Sequence, residues 1–203
     1  KSHLVEKKNP DRISNIVLMG MGEPLANYEN VKAALQTWLQ YTDVGPTHIT
    51  VSTVGVLPRL EQILDDSAWP DVRLAISLHS ADLKKRKMLM PSTSNDFLSH
   101  LADWAKRYLE KFGNRRHHLT FEYILINDVN DTKQDLESLA AFVQNAGRVK
   151  VNLIPYNTTG AFKTSGKDHV EAFARKLEEH GITVTVRRSM GDEIDAACGQ
   201  LAN

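Results

Sequence analysis

Six short apolar runs recur along the chain roughly every 25–45 residues, and stretches of helical spacing fill the intervals between them. The runs are Asn15–Met19, His48–Thr53, Val72–Leu78, Leu119–Ile126, Lys150–Ile154 and Ile182–Arg187. The first helical stretches are Val31–Tyr41 and Leu57–Leu64, the second with Pro58 tolerated in its first turn. Phe97–Phe112 has Ser94 or Asn95 as its N-cap and Gly113 at its end. A further helix runs from a cap at Asp131 or Thr132 to about Ala146, and His169–His180 is closed by Gly181. Leu83–Pro91 reads as a basic loop. Strands this apolar, joined by helical crossovers, mean a parallel sheet covered by helices. The pattern leaves two architectures open, a doubly wound sheet or part of a (β/α) barrel. No low-complexity segment or Pro- or Gly-rich linker divides the chain, so residues 1–203 read as one domain.

Charge and cysteine content narrow the function classes. Lys+Arg and Asp+Glu are equal at 25 each, which argues against broad electrostatic binding to nucleic acid. A local basic face is still compatible with that balance, because attraction depends on where charges lie. The single cysteine, Cys198, rules out an internal disulfide and suits a reducing cytoplasm. No apolar run is long enough to span a bilayer, and no signal-peptide pattern is present. The chain starts at Lys1, and Lys1–Pro10 looks like the middle of a protein, so a fragment or a processed product is expected.

In both open architectures ligands sit at the carboxyl ends of the strands. The special residues gather there. The first strand ends in Gly20-Met21-Gly22-Glu23-Pro24, the second in Ser52-Thr53-Val54-Gly55 and the third in Ser77-Leu78-His79-Ser80. The fourth ends in Asn127-Asp128 and the fifth in Tyr156-Asn157. Gly20 and Gly22 would let backbone approach a ligand closely, and Glu23 would put a carboxylate beside an ammonium group. An ordinary glycine-rich turn fits the same residues. Ser52, Ser77 and Asn157 suit hydrogen bonds to a ribose, a carboxylate or a base, and equally suit capping of the next helices. A lone histidine such as His79 is more often structural than catalytic. No His/Cys/Asp/Glu spacing suggests a zinc site.

Cys198 lies between small residues, with Arg187 and Arg188 upstream to favour a thiolate. A small buried apolar residue is the commoner fate of a free cysteine. Lys84-Lys85-Arg86-Lys87 follows the third strand on the ligand rim, where it could grip phosphates; most such runs are solvated. Arg115-Arg116-His117-His118 precedes a strand and reads as surface on the opposite rim.

Taken together these segments resemble the RlmN/Cfr family of radical S-adenosylmethionine (SAM) RNA methyltransferases. The resemblance is carried by Gly20-Met21-Gly22-Glu23-Pro24-Leu25, Val51-Ser52-Thr53-Val54-Gly55, Ser77-Leu78-His79-Ser80 and Asn152-Leu153-Ile154-Pro155-Tyr156-Asn157. Above all it is carried by Ile194-Asp195-Ala196-Ala197-Cys198-Gly199-Gln200-Leu201. These come in the family's order along nearly the whole chain, and Pro24 is closer to RlmN than to Cfr. The resemblance implies a partial (β/α) barrel of the radical SAM type, parallel strands with outer helices, its first strand missing. It implies SAM contacts at Gly22, Glu23, Ser52, Ser77, Leu78, His79 and Asn157, with the methionine amino group at Gly22 and Glu23. It implies a methyl group carried by Cys198. The substrate would be carbon 2 of an adenine in 23S rRNA and, in many members, in tRNA. An electron donor such as flavodoxin would serve a 4Fe-4S cluster.

Carbon 2 of adenine lies between two ring nitrogens and is too electron-poor to attack a sulfonium methyl. The family's route, as the resemblance implies it, first methylates Cys198. A radical generated from a second SAM then abstracts a hydrogen from that methyl, and the carbon radical adds to the ring. The chain departs from the family's pattern, because the Cys-x-x-x-Cys-x-x-Cys motif and the second catalytic cysteine are absent. Those parts and the general base are expected upstream, and the chain alone is expected to be inactive. Loss of the first strand would leave Ile16–Met19 as an unpaired apolar edge prone to association. Two other readings differ in class. A non-radical barrel lyase or aldolase would want a strand-end lysine or a metal cluster. A catalytically dead SAM- or RNA-binding module would explain the missing cysteines without truncation.

Overall fold

The computed structural model describes residues 13–113, 119–157 and 162–187. Six strands, β1 (Ile16–Leu18), β2 (Ile49–Thr53), β3 (Arg73–Ser77), β4 (Leu119–Leu125), β5 (Lys150–Pro155) and β6 (Val184–Val186), form one sheet. Every pair is parallel and the spatial order is the chain order, β1-β2-β3-β4-β5-β6. This settles the architecture. A doubly wound sheet reverses its strand order, whereas here each crossover steps to the next strand in one direction. Right-handed crossovers then put all helices on one face. The sheet is an open barrel segment. Among the described residues β1 pairs only with β2, and Val17 is exposed, as expected for an unpaired edge.

The helices are α1 (Tyr28–Tyr41), α2 (Leu57–Asp65), α3 (Leu83–Leu89), α4 (Phe97–Phe112), α5 (Lys133–Ala146) and α6 (Lys167–Glu179). α2 packs on α4, α4 on α5 and α5 on α6, so the outer layer follows the strand order. Each main helix buries one stripe at helical spacing: Leu101, Trp104, Ala105 and Tyr108 on α4, and Val170, Phe173, Ala174 and Leu177 on α6. The strands answer with alternate residues. Ile49, Val51, Leu74, Ile76, Phe121, Tyr123, Val151 and Leu153 are buried in this layer. The cap at Thr132 is a full capping box with Asp135.

Three expectations need correction. Leu83–Pro91 is not a loop but holds α3, opened by Asp82, whose side chain accepts from the Lys85 N–H. The N-cap of α4 is Asp96, not Ser94 or Asn95, and its side chain makes no capping bond. Helix α1 starts at Tyr28, a turn earlier than Val31, because a 3-10 turn at Pro24–Asn27 leads straight into it.

α3 carries the residue that ties the sheet's ligand end together. Arg86 is 1% exposed. Its Nη2 donates to the carbonyls of Val54 and Ser77, both at 3.0 Å, at the ends of β2 and β3. Its Nη1 donates to Thr93. The guanidinium lies 3.5 Å from the centroid of the Phe97 ring. Gly55 makes room for that ring: it has φ 90°, and a Cβ there would stand 2.9 Å from Phe97. Burial lowers the Arg86 pKa to about 10, so the group stays charged at neutral pH. A lysine has no fork to span two carbonyls and a ring. Arg86→Lys is expected to cost about 2–4 kcal/mol of stability, from lost charged hydrogen bonds, measured by denaturant unfolding.

Candidate functional site

The face of the sheet away from the helices carries the other alternate residues, and in the central strands many of them are polar. Ser52 pairs with Ala75, Ser77 with Glu122, Glu122 with Asn152, and Asn152 with Thr185. Among the described residues no helix covers this face. Ser52 Oγ donates to Glu122 Oε2 at 2.9 Å, and Thr185 Oγ1 donates to Asn152 at 3.0 Å.

The loop after β1 opens the site. Gly22 has φ 97°, which favours glycine, and a Cβ there would meet nothing within 4 Å. Backbone is therefore open to close approach at this point. Glu23 caps the following 3-10 turn: Oε1 accepts from the Leu25 N–H at 2.9 Å and from Thr53 Oγ1 at 2.6 Å. Oε2 accepts from the Val54 N–H at 2.8 Å. The carboxylate thus welds the first loop to the end of β2. One of its roughly four acceptor positions remains for a ligand.

Ser77, Leu78 and His79 follow β3. The Ser77 hydroxyl makes no hydrogen bond among the described residues. Leu78 is fully buried; its N–H donates to the Glu122 carbonyl and its carbonyl accepts from the Ser80 N–H. Any ligand contact of Leu78 falls to the second lone pair of that carbonyl. His79 adopts the left-handed conformation, φ 57°, which histidine tolerates better than most residues. Asn130, completely buried, fixes it: Nδ2 donates to the carbonyls of His79 and Ile124, both at 2.7 Å, and Oδ1 accepts from the Ile126 N–H. Tyr123 Oη donates to the Asn130 carbonyl from the core side.

His79 Nδ1 accepts from the Ile124 N–H at 3.2 Å, so the neutral ring carries its proton on Nε2. Burial and then the charge of Arg86 push the imidazole down from 6.5 to about 4, against a backbone hydrogen bond at Glu122 that raises it. His79 therefore presents an N–H donor, not a cation.

Asn157 lies just past β5, where the neighbouring Tyr156 N–H donates to the Leu125 carbonyl. The structure thus gathers Gly22, Glu23, Ser52, Ser77, Leu78, His79 and Asn157 at the carboxyl ends of adjacent strands. Cys198 and the Gly191–Leu201 segment lie outside the described residues, as do Arg188 and Arg115–His118. Sequence reasoning missed Glu122, Arg86 and Asn130. The basic run is divided: Arg86 is internal, Lys85 pairs with buried Asp135 at 2.7 Å, and Lys87 meets Asn95. Only Lys84 is exposed. A separate cavity of about 820 Å³ opens at the other end of the strands, lined by Arg73, Arg148, Lys150 and His180 among others. It is remote from the gathered residues. Among the described residues no three His, Cys, Asp or Glu side chains stand close enough to hold a metal ion. No helix there is long and apolar enough to cross a membrane.

The depressed histidine gives a pH prediction. The unfolded imidazole takes its proton near 6.5 and the folded one near 4. Between these values the unfolded chain binds more protons, so stability falls as pH drops through that window. The slope reaches up to about 1.4 kcal/mol per pH unit. His79→Asn keeps an acceptor for Ile124 and tolerates the left-handed backbone. Melting curves are expected to match near pH 7 and to diverge in that window, the wild type losing more.

No family model matches the chain. A protein of Clostridium perfringens (strain SM101 / Type A) named probable dual-specificity RNA methyltransferase RlmN is 45% identical over 195 residues, covering 94% of this chain and 54% of that protein. A protein of the same name from Christiangramia forsetii is 43% identical over 195 residues, again covering 94% and 54%. Among solved structures, a radical SAM methyltransferase from Sphaerobacter thermophilus superposes with a TM-score of 0.84 at 35% identity, over 93% of this chain and 55% of that one. A domain of pyruvate-formate lyase-activating enzyme from Bacteroides vulgatus shares the fold, with a TM-score of 0.66 at 19% identity over 87% of this chain. The chain spans about half the length of the curated relatives it matches. By sequence and by fold, the chain is similar over about half their length to proteins named RlmN and to a radical SAM methyltransferase.

Proposed function

We propose that this chain is the SAM-binding core of an RNA methyltransferase acting on carbon 2 of an adenine in 23S rRNA, and in tRNA. In this reading residues 1–203 are one radical SAM core domain of a cytoplasmic enzyme served by an electron donor such as flavodoxin. The observation that carries it is the gathering of Gly22, Glu23, Ser52, Ser77, His79 and Asn157 at one end of an uncovered, polar sheet face. The names of the relatives support the reaction class.

The described residues fit SAM. The open backbone at Gly22 admits the methionine end, and the free acceptor position of Glu23 takes its ammonium. His79 Nε2–H supplies a donor for an acceptor atom of the ligand, and Asn157 offers a further amide. SAM supplies the methyl group. Cys198 is the acceptor of that methyl and its carrier to the adenine ring, which as an electron-poor carbon cannot take a methyl by ordinary nucleophilic attack.

A 4Fe-4S cluster does not fit this chain alone, which has one cysteine where three thiolates are needed. The cluster ligands, the second cysteine and the general base are assigned to the part of the whole protein that this chain does not span. Three measurements test the reading. Mass spectrometry of the whole protein isolated from cells is expected to find one extra methyl on the peptide containing Cys198. Cys198→Ser is expected to abolish RNA methylation, and persistent methylation in that variant would refute the reading. The 203-residue chain, reconstituted anaerobically with iron and sulfide, is expected to cleave no SAM.

A further inference from the structure

We propose that the cavity at the amino ends of the strands binds an organic phosphomonoester of nucleotide size. This site is separate from the strand-end residues, and the inference does not depend on the SAM reading.

The cavity holds about 820 Å³, within the range of about 300–1,000 Å³ usual for small-ligand pockets. Its cations come from strands and turns that are far apart in sequence. Arg73 opens β3 and Lys150 opens β5. Between them on β4 stands Thr120, which pairs with Ala75 and with Lys150, so alternation puts all three side chains on the helix-free face. Arg148 and His180 come from the turns that close α5 and α6. No acidic residue lines the cavity.

A cation near a helix C-terminus commonly serves the last carbonyls of that helix. Here other side chains do so: Lys111 donates to the Leu64 carbonyl, and Gln144 donates to the His180 carbonyl at 3.1 Å. Among the described residues Arg73, Arg148 and Lys150 have no ion-pair partner. Arg73 Nε is moreover buried without an acceptor. A buried N–H in that state costs free energy, and an anion in the cavity removes the cost.

Several donors converging on an unneutralised positive region suit a phosphate, whose oxygens accept from more than one direction. Phosphate alone is too small for the space. Leu109, Val143 and Ile182 add an apolar wall, which fits an uncharged body attached to the phosphate. Arg73, Thr120 and Lys150 are half-buried. A terminal phosphate can reach them, whereas one inside a duplex backbone is held back by sugars on both sides.

The test uses the whole protein with saturating SAM, and equilibrium dialysis with two probes, uridine 5′-monophosphate and uridine. Wild type is expected to bind the monophosphate at least about tenfold more tightly, the scale of a charged hydrogen bond, and to release it to inorganic phosphate. Lys150→Gln and Arg148→Gln are each expected to weaken monophosphate binding about tenfold and to leave uridine binding unchanged. Lys133→Gln removes an exposed charge at the far end of α5 and is expected to change neither. Gly181→Asn tolerates the left-handed turn (φ 77°) and adds a side chain at the cavity wall; it is expected to weaken both probes and serves if a charge variant does not fold. A wild type that binds both probes equally overturns the assignment. So does a loss in Lys133→Gln equal to that in Lys150→Gln, which would mark a general charge effect.

Discussion

Parallel pairing in strict chain order determines nearly everything else about this molecule. Each crossover returns to the next strand with the same hand, so the helices line one side and stack in sequence, α2 on α4, α4 on α5, α5 on α6. That side takes the apolar alternate residues, and the opposite side is left to Ser52, Ser77, Glu122, Asn152 and Thr185. A sheet wound in both directions would have buried these polar groups beneath a second helical layer. Here no described helix covers them, and a ligand can use them.

The carboxyl ends of the strands are held in place by buried polar groups. Parallel strands end in carbonyls and N–H groups that the ladder no longer pairs, and each must find a partner. Arg86 takes the carbonyls beyond β2 and β3, and Asn130 takes those of His79 and Ile124 together with the Ile126 N–H. Glu23 collects the N–H groups of Leu25 and Val54. Loops that would otherwise be free are thereby fixed to the scaffold, the condition for a site that must orient a flexible cofactor. His79 shows the cost: a left-handed backbone and an imidazole driven neutral by burial and by Arg86.

Much of the fold was legible because its signals are local. Apolar runs mark strands, and Thr132 with Asp135 marks a helix start. The strand-end position of Gly22, Glu23, Ser52, Ser77, Leu78, His79 and Asn157 follows from the same reading. Strand order was not legible, since crossover direction depends on packing between elements far apart in sequence. Arg86 was hidden inside a run of four cations that looks solvated, and nothing in Lys84–Lys87 distinguishes the one that turns inward. Helix α3 escaped notice because its seven residues are too few for a periodic stripe, although Asp82 was a usable cap signal. Glu122 could have been found: in Leu119–Ile126 it alternates with Phe121 and Tyr123, which places one charge on the face opposite two aromatic rings.

The distribution of charge along the open face argues for the polarity of the ligand. Glu23 lies at the carboxyl ends of the strands and Glu122 at the middle of β4, whereas Arg73, Arg148 and Lys150 cluster around the cavity at the amino ends. Inside a protein such charges are screened far less than in water. A sulfonium with an ammonium group carries a net positive charge and is drawn to the acidic half and repelled from the basic one. An anion would be driven the opposite way, out of reach of Gly22 and His79. The same sheet thus offers a cationic nucleoside one end of its face only, and it is the end at which the strand-terminal residues converge.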